Sequence, residues 1–238
     1  MSKVVAYVAA LKREVAPLIK GWQRTQTAYS GRNFEFFENG GTVLVCGGIG
    51  AEAARRATEA VIQLHHPKEV VSVGFVGALD PNLRVGDVFE PAIVVDARDG
   101  RRVAANHGIG VLVSVSSVAD SEQKGKLAGA YQAQTVDMEA ASVARGGQAH
   151  GLRFRALKAV SDELRFPMIP MDRFVDSEGQ FRTASFALFA ALRPAIWPTV
   201  VRLARNSALA SHALCARLQT EIEASRRSFE APRVVTKQ

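Results

Sequence analysis

Cysteine is scarce in this sequence of 238 residues, which contains only two, Cys46 and Cys215. They lie far apart in the chain, and neither belongs to a spacing typical of a metal site or a redox pair. We therefore expect two free, buried thiols in a reducing compartment rather than a disulfide. The sequence also lacks the spacing of histidine, cysteine and acidic residues that binds metal ions, so we expect no metal and no cofactor.

Long apolar runs are also missing from the N-terminal region. The first run, in MSKVVAYVAALKREV, is interrupted by Lys12, Arg13 and Glu14. It contains too few apolar residues for a membrane span or a secretory signal, so we expect a cytoplasmic protein. The net charge is +7. Because no basic motif with interleaved aromatic residues is present, we expect no nucleic-acid partner.

Apolar residues make up 47% of the chain, which is enough to bury a sizeable core. We expect a catalytic domain over residues 1–183 and a C-terminal helical extension over residues 184–238, packed on the same domain. Apolar runs bounded by turn residues predict strands, and one helical pattern stands out at Ala51 to His65. The predicted strands are Val4 to Leu11, Phe34 to Phe37, Thr42 to Cys46, Val70 to Val76, Val88 to Val95 and Val111 to Val118.

Two acidic residues lie beside apolar elements in the stretch TVDMEAASVARGGQAHGLRFRALKAVSDE, from Thr135 to Glu163. Glu139 is predicted at the start of a helix rich in small residues, and Asp162 directly after a buried strand. A carboxylate in such a place costs free energy unless it is paired or hydrogen-bonded, so two of them indicate a site. The alternative is that each acid only caps or solvates its own element.

The motifs VDMEAAS and SDE, separated by some twenty residues, resemble the paired signature of the nucleoside phosphorylase and methylthioadenosine/adenosylhomocysteine nucleosidase superfamily. Two glycine-containing segments, Val43 to Ile62 and Val70 to Phe89, agree with this resemblance in order and spacing. The resemblance implies a three-layer α/β/α fold with a central mixed, partly barrel-like sheet. It also implies cleavage of the N-glycosidic bond of an adenosine-type nucleoside.

The resemblance assigns roles to four residues of the Thr135 to Glu163 stretch. Met138 and Glu139 hold the ribose, and Ser161 and Asp162 contact the purine base. Asp162 is the expected general acid, because the departing base gains negative charge as the bond stretches.

A second set of residues follows the first strand and the glycine-rich turn. In the nucleosidases that this chain resembles, the residue matched by Glu14 activates the attacking water. In the phosphorylases, basic side chains near the same loop hold phosphate, which here suggests Lys12 or Arg13 together with the backbone of Gly48. The alternative for this charged segment is a solvated helix start.

The chain departs from the family pattern at several positions. Phe75 stands where relatives usually have Ser, and Ser72 where phosphorylases have Arg. The usual aromatic residue that stacks on the base is also absent, and position alone suggests Phe166 or Phe174 as its replacement. These departures leave room for a non-catalytic nucleoside-binding or membrane-peripheral protein on the same fold.

The C-terminal extension is apolar and basic. Its segment ALRPAIWPTVVRLARNSALASHALCARL resembles the hopanoid-associated phosphorylase branch, which implies phosphorolysis of adenosylhopane to adenine and a ribosylhopane phosphate. Inorganic phosphate would then be the co-substrate, and hydrolysis by a methylthioadenosine/adenosylhomocysteine nucleosidase is the alternative. A helix with tryptophan and arginines suits a bilayer surface or a lipid-linked ligand. An ordinary core or the interface of an expected homodimer explains the same pattern.

Overall fold

The computed structural model describes residues 5–169 and 171–230, and the predicted strand start at Val4 lies outside them. Within these ranges the chain forms eleven strands and six α-helices. The strands are β1 (Val5–Ala9), β2 (Gln23–Tyr29), β3 (Arg32–Asn39), β4 (Thr42–Cys46), β5 (Glu69–Ala78), β6 (Val88–Phe89), β7 (Ile93–Asp96), β8 (Arg102–Ala104), β9 (Val111–Ser114), β10 (Thr135–Asp137) and β11 (Arg153–Asp162). The helices are α1 (Lys12–Ile19), α2 (Ala51–His65), α3 (Ser121–Tyr131), α4 (Ala140–Ala149), α5 (Thr183–Ala191) and α6 (Trp197–Glu230).

All eleven strands belong to one mixed sheet, and nine of them follow one another in the order β2-β3-β4-β1-β5-β10-β9-β7-β8. The sheet forks at β5, which pairs in parallel with β1 and β11 and, at its far end, antiparallel with β10. β6 continues the second branch by pairing with β11. The strands therefore curve around β5 without closing into a barrel, and their ends near β5 converge on one region.

Helices cover both faces of the sheet. One face packs against α2 and α4 through a core that includes Val61, Val70, Ala144 and Phe154. The other face packs against α1 and α6 through a core that includes Val15 and Leu214. The predicted three-layer α/β/α architecture with a mixed, partly barrel-like sheet is therefore confirmed.

Glycines let α4 lie close to its neighbours. A Cβ atom on Gly146 would be 2.6 Å from Thr58 Cγ2 of α2, and one on Gly147 would be 2.6 Å from Val70 Cγ2 of β5. No larger residue fits either place unless the neighbour moves. The close packing of α4 on the sheet fixes the start of this helix, where Glu139 is the N-cap residue.

Some predicted strands differ from the structure in extent. The predicted strand from Val88 to Val95 is two strands, β6 and β7, because Pro91 between them cannot donate a ladder hydrogen bond. The predicted strand from Val111 to Val118 ends at Ser114. The segment from 96 to 110 between these two predicted strands contains β8, which pairs antiparallel with β7.

The second half of α6 is part of the core. Ala210, Leu214 and Leu218 are fully buried against α1 and the sheet. Arg155 of β11 supports this packing, since its guanidinium donates to Glu69, Glu90 and Glu221 at 3.0 to 3.2 Å. Glu221 belongs to α6, so this ion-pair network joins the last helix to two strands.

Proline begins the last helix rather than breaking it. Pro198 occupies the first turn of α6, where a missing backbone N–H leaves no hydrogen bond unmade. Pro194 similarly begins a short 3₁₀ helix, Pro194–Ile196. Among the described residues, no helix taken singly is both long and apolar enough to cross a membrane. α5 and the segment from Pro194 onward satisfy that criterion only together, and they are bent by 109°.

Candidate active site

A cavity of about 680 Å³ opens where β1, β5, β10 and β11 end. This volume lies within the usual range for small-molecule sites, about 300 to 1,000 Å³. Glu139 and Asp162, predicted from sequence as partners, both line it, and so do Glu14, Met138 and Ser161. The fold thus brings together side chains that are up to 148 positions apart, from Glu14 to Asp162.

Glu139 lies at the start of α4 with its carboxylate directed into the cavity. Its Oε1 accepts a 2.7 Å hydrogen bond from the backbone N–H of Gly50, and its Oε2 accepts one of 3.3 Å from Met138. Burial raises the pKa of Glu139 to about 7, and the negative charge of Asp137 adds to this while Lys158 opposes it. On the side that faces the cavity, this carboxylate has no hydrogen-bond donor among the described residues. Its oxygens can therefore accept hydrogen bonds from the hydroxyl groups of a ligand.

Asp162 is the last residue of β11 and is almost fully buried. Its Oδ1 accepts a 2.7 Å hydrogen bond from the Ser161 hydroxyl, and its Oδ2 accepts one from the ammonium of Lys124. Lys124, from α3, is 1% exposed and is a site residue that sequence reasoning missed. Gly77 makes room for this pair, because a Cβ there would be 2.9 Å from Asp162 Oδ2 and 3.1 Å from Lys124 Nζ.

Glu14 is the third residue of α1 and is 6% exposed. Its Oε2 accepts a 3.2 Å hydrogen bond from the backbone N–H of Leu11, and a Cβ on Gly74 of β5 would be 2.9 Å from the same oxygen. Burial raises the pKa of Glu14, although the Leu11 hydrogen bond and the positive charge of Lys158 act in the other direction. A carboxylate of raised pKa beside a cavity is suited to take a proton from water.

A buried ion pair lies beneath these acids. Lys158 Nζ is 2.8 Å from Asp137 Oδ2, and both side chains are at most 1% exposed. Ser114 and the backbone N–H of Ala140 also donate to Asp137, so this carboxylate is fully partnered. Burial opposes the charge of Lys158, but Asp137, Glu139 and then Glu14 outweigh it and raise the pKa of Lys158.

Lys158 therefore holds one positive charge among three carboxylates. Sequence reasoning missed it, although a lysine inside the apolar strand FRALKAV was a visible signal that something buried needed a cation. Its register neighbour on β5 is Gly74, so the lysine and Glu14 share the same part of the sheet.

The residues suggested for phosphate have different positions. Arg13 lines the cavity and lies 5.2 Å from the Phe181 ring. Lys12 is half exposed and is paired with Glu35, away from the cavity wall. Gly48 is covered by the backbone of residues 178 and 179, and its N–H donates to the Ala10 carbonyl at 2.9 Å.

The other backbone N–H groups of the glycine-rich turn, residues 47–50, are also hydrogen-bonded within the protein. The N–H groups of Gly47, Ile49 and Gly50 donate to Ala9, Gly179 and Glu139 respectively. The N–H groups of this turn are therefore already hydrogen-bonded within the protein in this structure.

Another part of the cavity wall comes from the C-terminal segment and is mostly apolar. Its residues include Phe181, Phe186, Val200 and Leu203, and Phe75 of β5 also contributes. The cavity thus has a charged end beside the sheet and an apolar end beneath α5 and α6.

The aromatic residues suggested for base stacking are not on the described cavity wall. Phe166 and Phe174 are 5% and 6% exposed. Phe174 packs edge-on against Phe181 and Phe186, while the Arg202 guanidinium covers the Phe166 ring at 4.6 Å. The position-based suggestion of either residue as a stacking partner is therefore wrong, because their rings are used in packing.

Comparison with known proteins gives partial sequence matches and a shared fold. A sequence model of the phosphorylase superfamily matches residues 4–110. A 5′-methylthioadenosine/S-adenosylhomocysteine nucleosidase from Marinomonas sp. (strain MWYL1) is 37% identical over 90 residues. That match spans 36% of this chain and 38% of the relative's length, which is well under two thirds of it.

Solved structures extend the likeness to nearly the whole chain. The 5′-methylthioadenosine/S-adenosylhomocysteine nucleosidase of Helicobacter pylori has a TM-score of 0.71 at 16% identity, over 94% of this chain and 99% of that one. The 5′-methylthioadenosine nucleosidase of Arabidopsis thaliana has a TM-score of 0.71 at 21% identity, over 94% and 96%. The futalosine hydrolase of Helicobacter pylori has a TM-score of 0.66 at 18% identity, over 92% and 99%.

At such low identity these structures show the shared fold, and the sequence match covers only the N-terminal part. The phosphorylase-superfamily model thus matches the N-terminal part of a chain whose fold resembles that of these solved structures.

Proposed function

We propose that this protein is an enzyme that cleaves the N-glycosidic bond of an adenosine-type nucleoside with water. The observation that carries the proposal is the presence of three acids, Glu14, Glu139 and Asp162, on the wall of one cavity. Each of the three carboxyl groups has different hydrogen-bond partners, which suits each of them to a different role in the reaction. The name of the Marinomonas relative, a nucleosidase, supports the same reaction class.

The proposed mechanism uses an oxocarbenium-like transition state. As the bond to the base breaks, its electron pair moves to the purine, and a proton delivered at Asp162 neutralises the developing charge. Glu139 accepts hydrogen bonds from the ribose hydroxyls, and Met138 lies against the sugar. Glu14 takes a proton from the attacking water. The positive charge of Lys158 offsets the negative charges of the neighbouring carboxylates. No metal ion is needed for these steps.

Water is favoured over phosphate because the structure offers few anion ligands. The backbone N–H groups of the glycine-rich turn are already bonded, and Lys12 is paired with Glu35. Arg13 alone, of the three phosphate residues suggested by sequence, lines the cavity. The buried Glu14 would moreover repel an incoming phosphate unless the carboxyl were protonated.

Adenine release from methylthioadenosine and related adenosyl compounds, measured with and without inorganic phosphate, tests this proposal. We expect release that does not depend on phosphate and yields the free sugar. Strict dependence on phosphate would assign the reaction to a phosphorylase instead. Absence of release above a no-enzyme control, across the substrate panel, would favour the non-catalytic nucleoside-binding alternative.

Asp162→Asn tests the assignment of the acid. The amide cannot pass on a proton, so we expect kcat to fall about 10² to 10⁴-fold with little change in KM. Ser161→Ala is the matched comparison, because it removes one hydrogen bond and keeps the carboxyl group. Equal losses in binding and turnover for Asp162→Asn would contradict its role as the acid.

A second candidate function follows from the apolar end of the cavity. Phe181, Phe186, Val200 and Leu203 leave space for a large apolar group attached to the nucleoside. This supports the finer proposal of an adenosyl lipid as substrate, including phosphorolysis of adenosylhopane with inorganic phosphate as co-substrate. An adenosyl lipid assayed in parallel with methylthioadenosine decides between them, since the lipid should then have the higher kcat/KM.

Peripheral membrane contact remains part of this second candidate. Leu188, Leu192, Trp197 and Val201 on α5 and the start of α6 are 52% to 71% exposed. The double variant Leu188→Glu with Leu192→Glu should lose flotation with anionic liposomes, whereas Ile109→Glu, which alters a 76% exposed residue elsewhere, should keep it.

The same variants test the expected homodimer. Conversion of a dimer to a monomer by the double variant, with flotation unchanged in both proteins, would assign this apolar face to a subunit interface.

A further inference from the structure

The environment of Lys124 differs from that of an ordinary surface lysine. It is the buried residue of α3, whereas the rest of that helix is half-buried or exposed. Its ammonium donates to Asp162 Oδ2, to the Glu163 carbonyl at 2.9 Å and, at 3.5 Å, to the Asp162 carbonyl. Its three N–H bonds therefore have three acceptors, which is the arrangement of a charged ammonium rather than a neutral amine.

The contacts also define how Asp162 is held. Ser161 Oγ lies 2.7 Å from Oδ1, and Lys124 donates to Oδ2. Lys124 and Asp162 therefore form a buried ion pair, with side chains that are 1% and 5% exposed. The proposed reaction nevertheless needs a proton delivered from Asp162.

We propose that Lys124 is the resting store of the proton that Asp162 delivers to the leaving purine. This inference rests on the proposed function and adds a positioning residue that acts through the acid. The buried Lys124–Asp162 pair keeps one transferable proton away from solvent. A carboxyl group without the lysine would exchange this proton with solvent. Gly77 is what lets the two side chains approach each other.

The step balances as follows. An N–H bond of Lys124 breaks and an O–H bond forms on Asp162, which leaves a neutral amine and a carboxylic acid. The O–H bond then breaks as a purine nitrogen takes the proton, while the electron pair of the glycosidic bond moves to the base. Lys124 regains a proton from solvent, and the proton taken from the attacking water leaves through Glu14.

Other charged groups face the same cavity and influence this pair. On the cavity wall these are Arg13 and Glu14 of α1, Asp137 of β10 and Glu139 at the start of α4, and the imidazole of His212 on α6 also lines it. Lys158 of β11 lies behind the wall, and its partner there is Asp137. Lys158 is already held by Asp137, so it is not an alternative partner for Asp162. Lys124 is therefore the cation that the contacts assign to the acid.

Two substitutions at Lys124 separate a proton store from a structural cation. Lys124→Arg keeps the charge but holds its proton far more strongly, so we expect at least about a 10²-fold lower kcat for adenine release. In Lys124→Met, only the carboxyl group of Asp162 is left to hold the transferable proton. A carboxyl group ordinarily titrates about six pH units below a lysine. This variant should work at the acidic end of a pH series and lose activity at a lower pH than the parent protein does.

Controls identify a purely structural effect. A nitrophenyl riboside has a leaving group that departs as a stable anion, so both variants should cleave it at close to the parent's rate. Lys126→Met alters a 73% exposed lysine of the same helix and should leave every profile unchanged. Greater activity in Lys124→Arg than in Lys124→Met at all pH values would overturn the proposal, as would loss of nitrophenyl riboside cleavage in both variants.

A spectroscopic readout does not depend on turnover. Infrared difference spectra between the parent protein and Asp162→Asn should show loss of an ionised carboxylate band. In the Lys124→Met background, the same comparison at acidic pH should show loss of a protonated carboxyl band. A protonated band in the parent protein would refute the proton store even if no substrate were cleaved. Failure of adenine release with the expected spectra would instead count against the proposed function.

Discussion

Replacement of Glu139 by glutamine should make the protein more stable at alkaline pH while it reduces activity. The substitution keeps the size of the side chain and the oxygen that accepts from Gly50, but it removes a charge that burial disfavours. The structure raises the pKa of this carboxyl from an ordinary 4.5 to about 7. The folded state therefore binds the proton more tightly than the unfolded state.

The sign and size of the effect follow from this difference. Because the folded state holds the extra proton between about pH 4.5 and pH 7, wild-type stability falls as the pH rises through this interval. At about 1.4 kcal/mol per pH unit, the full penalty at higher pH is at most about 3 to 4 kcal/mol. Glu139 is partly exposed to a cavity that admits water, so we expect about 1 to 3 kcal/mol.

Urea unfolding of both proteins at about pH 5 and about pH 8 measures the change. The free energy of unfolding of Glu139→Gln, relative to that of the wild type, should increase by that amount from the lower to the higher pH. Glu52→Gln is the control, since hydrogen bonds from Arg55 and Arg56 lower the pKa of Glu52 to about 2. In the folded state this carboxyl stays ionised over the whole range, and in the unfolded state it loses only its residual protonation near pH 5, so the relative stability should change by no more than about 0.2 kcal/mol.

A relative stability of Glu139→Gln that is the same at both pH values would refute the reasoning. The kinetic half of the prediction is independent of it. If Glu139 grips the ribose, a 2′-deoxy substrate should be poor for the wild type, and the variant should lose that preference. An unchanged preference would remove Glu139 from the sugar site even if the stability result held.

Two further predictions concern the support of the site. Gly74→Ala should lower both stability, by about 1 to 3 kcal/mol, and kcat, because Gly74 has a φ of 142° and its new Cβ would lie 2.9 Å from Glu14 Oε2. Gly129→Ala is the control: the new Cβ, on the exposed side of α3, meets no atom within 4 Å, so the free energy of unfolding should rise by about 1 kcal/mol. Urea unfolding and steady-state kinetics compare the two variants. Arg155→Met leaves three glutamates without their shared cation, so we expect a loss of about 3 to 5 kcal/mol. The α6 amides should then exchange hydrogen faster, and unchanged exchange would show that the network does not hold this helix.

Local sequence was sufficient for the elements around the site. Alternating apolar runs and turn residues predicted α2 at its observed bounds and placed the β3–β4 hairpin and β11 close to theirs. The same local pattern placed Glu139 at a helix start and Asp162 at a strand end. Pro91 could have shown that Val88 to Val95 is not one strand, because proline does not fit inside a paired strand.

The partners of the acids were beyond local patterns. Lys124 and Lys126 lie two positions apart on α3 in a stretch with little amphipathic character, yet one is buried and the other is exposed. Only the packing of α3 against the end of β11 distinguishes them. Lys12 and Gly48 illustrate the reverse case, since their residue types suit an anion site while their contacts commit them elsewhere.

The sequence alone determined most of the strands and helices that build the site, and which acids stand at their ends, because these features depend on the spacing of apolar residues a few positions apart. The tertiary structure decided that the sheet forks at β5, that Lys124 meets Asp162, and that the C-terminal helices cover the apolar end of the cavity. These contacts join residues 38 or more positions apart, and their geometry depends on strand register and helix packing rather than on any local pattern.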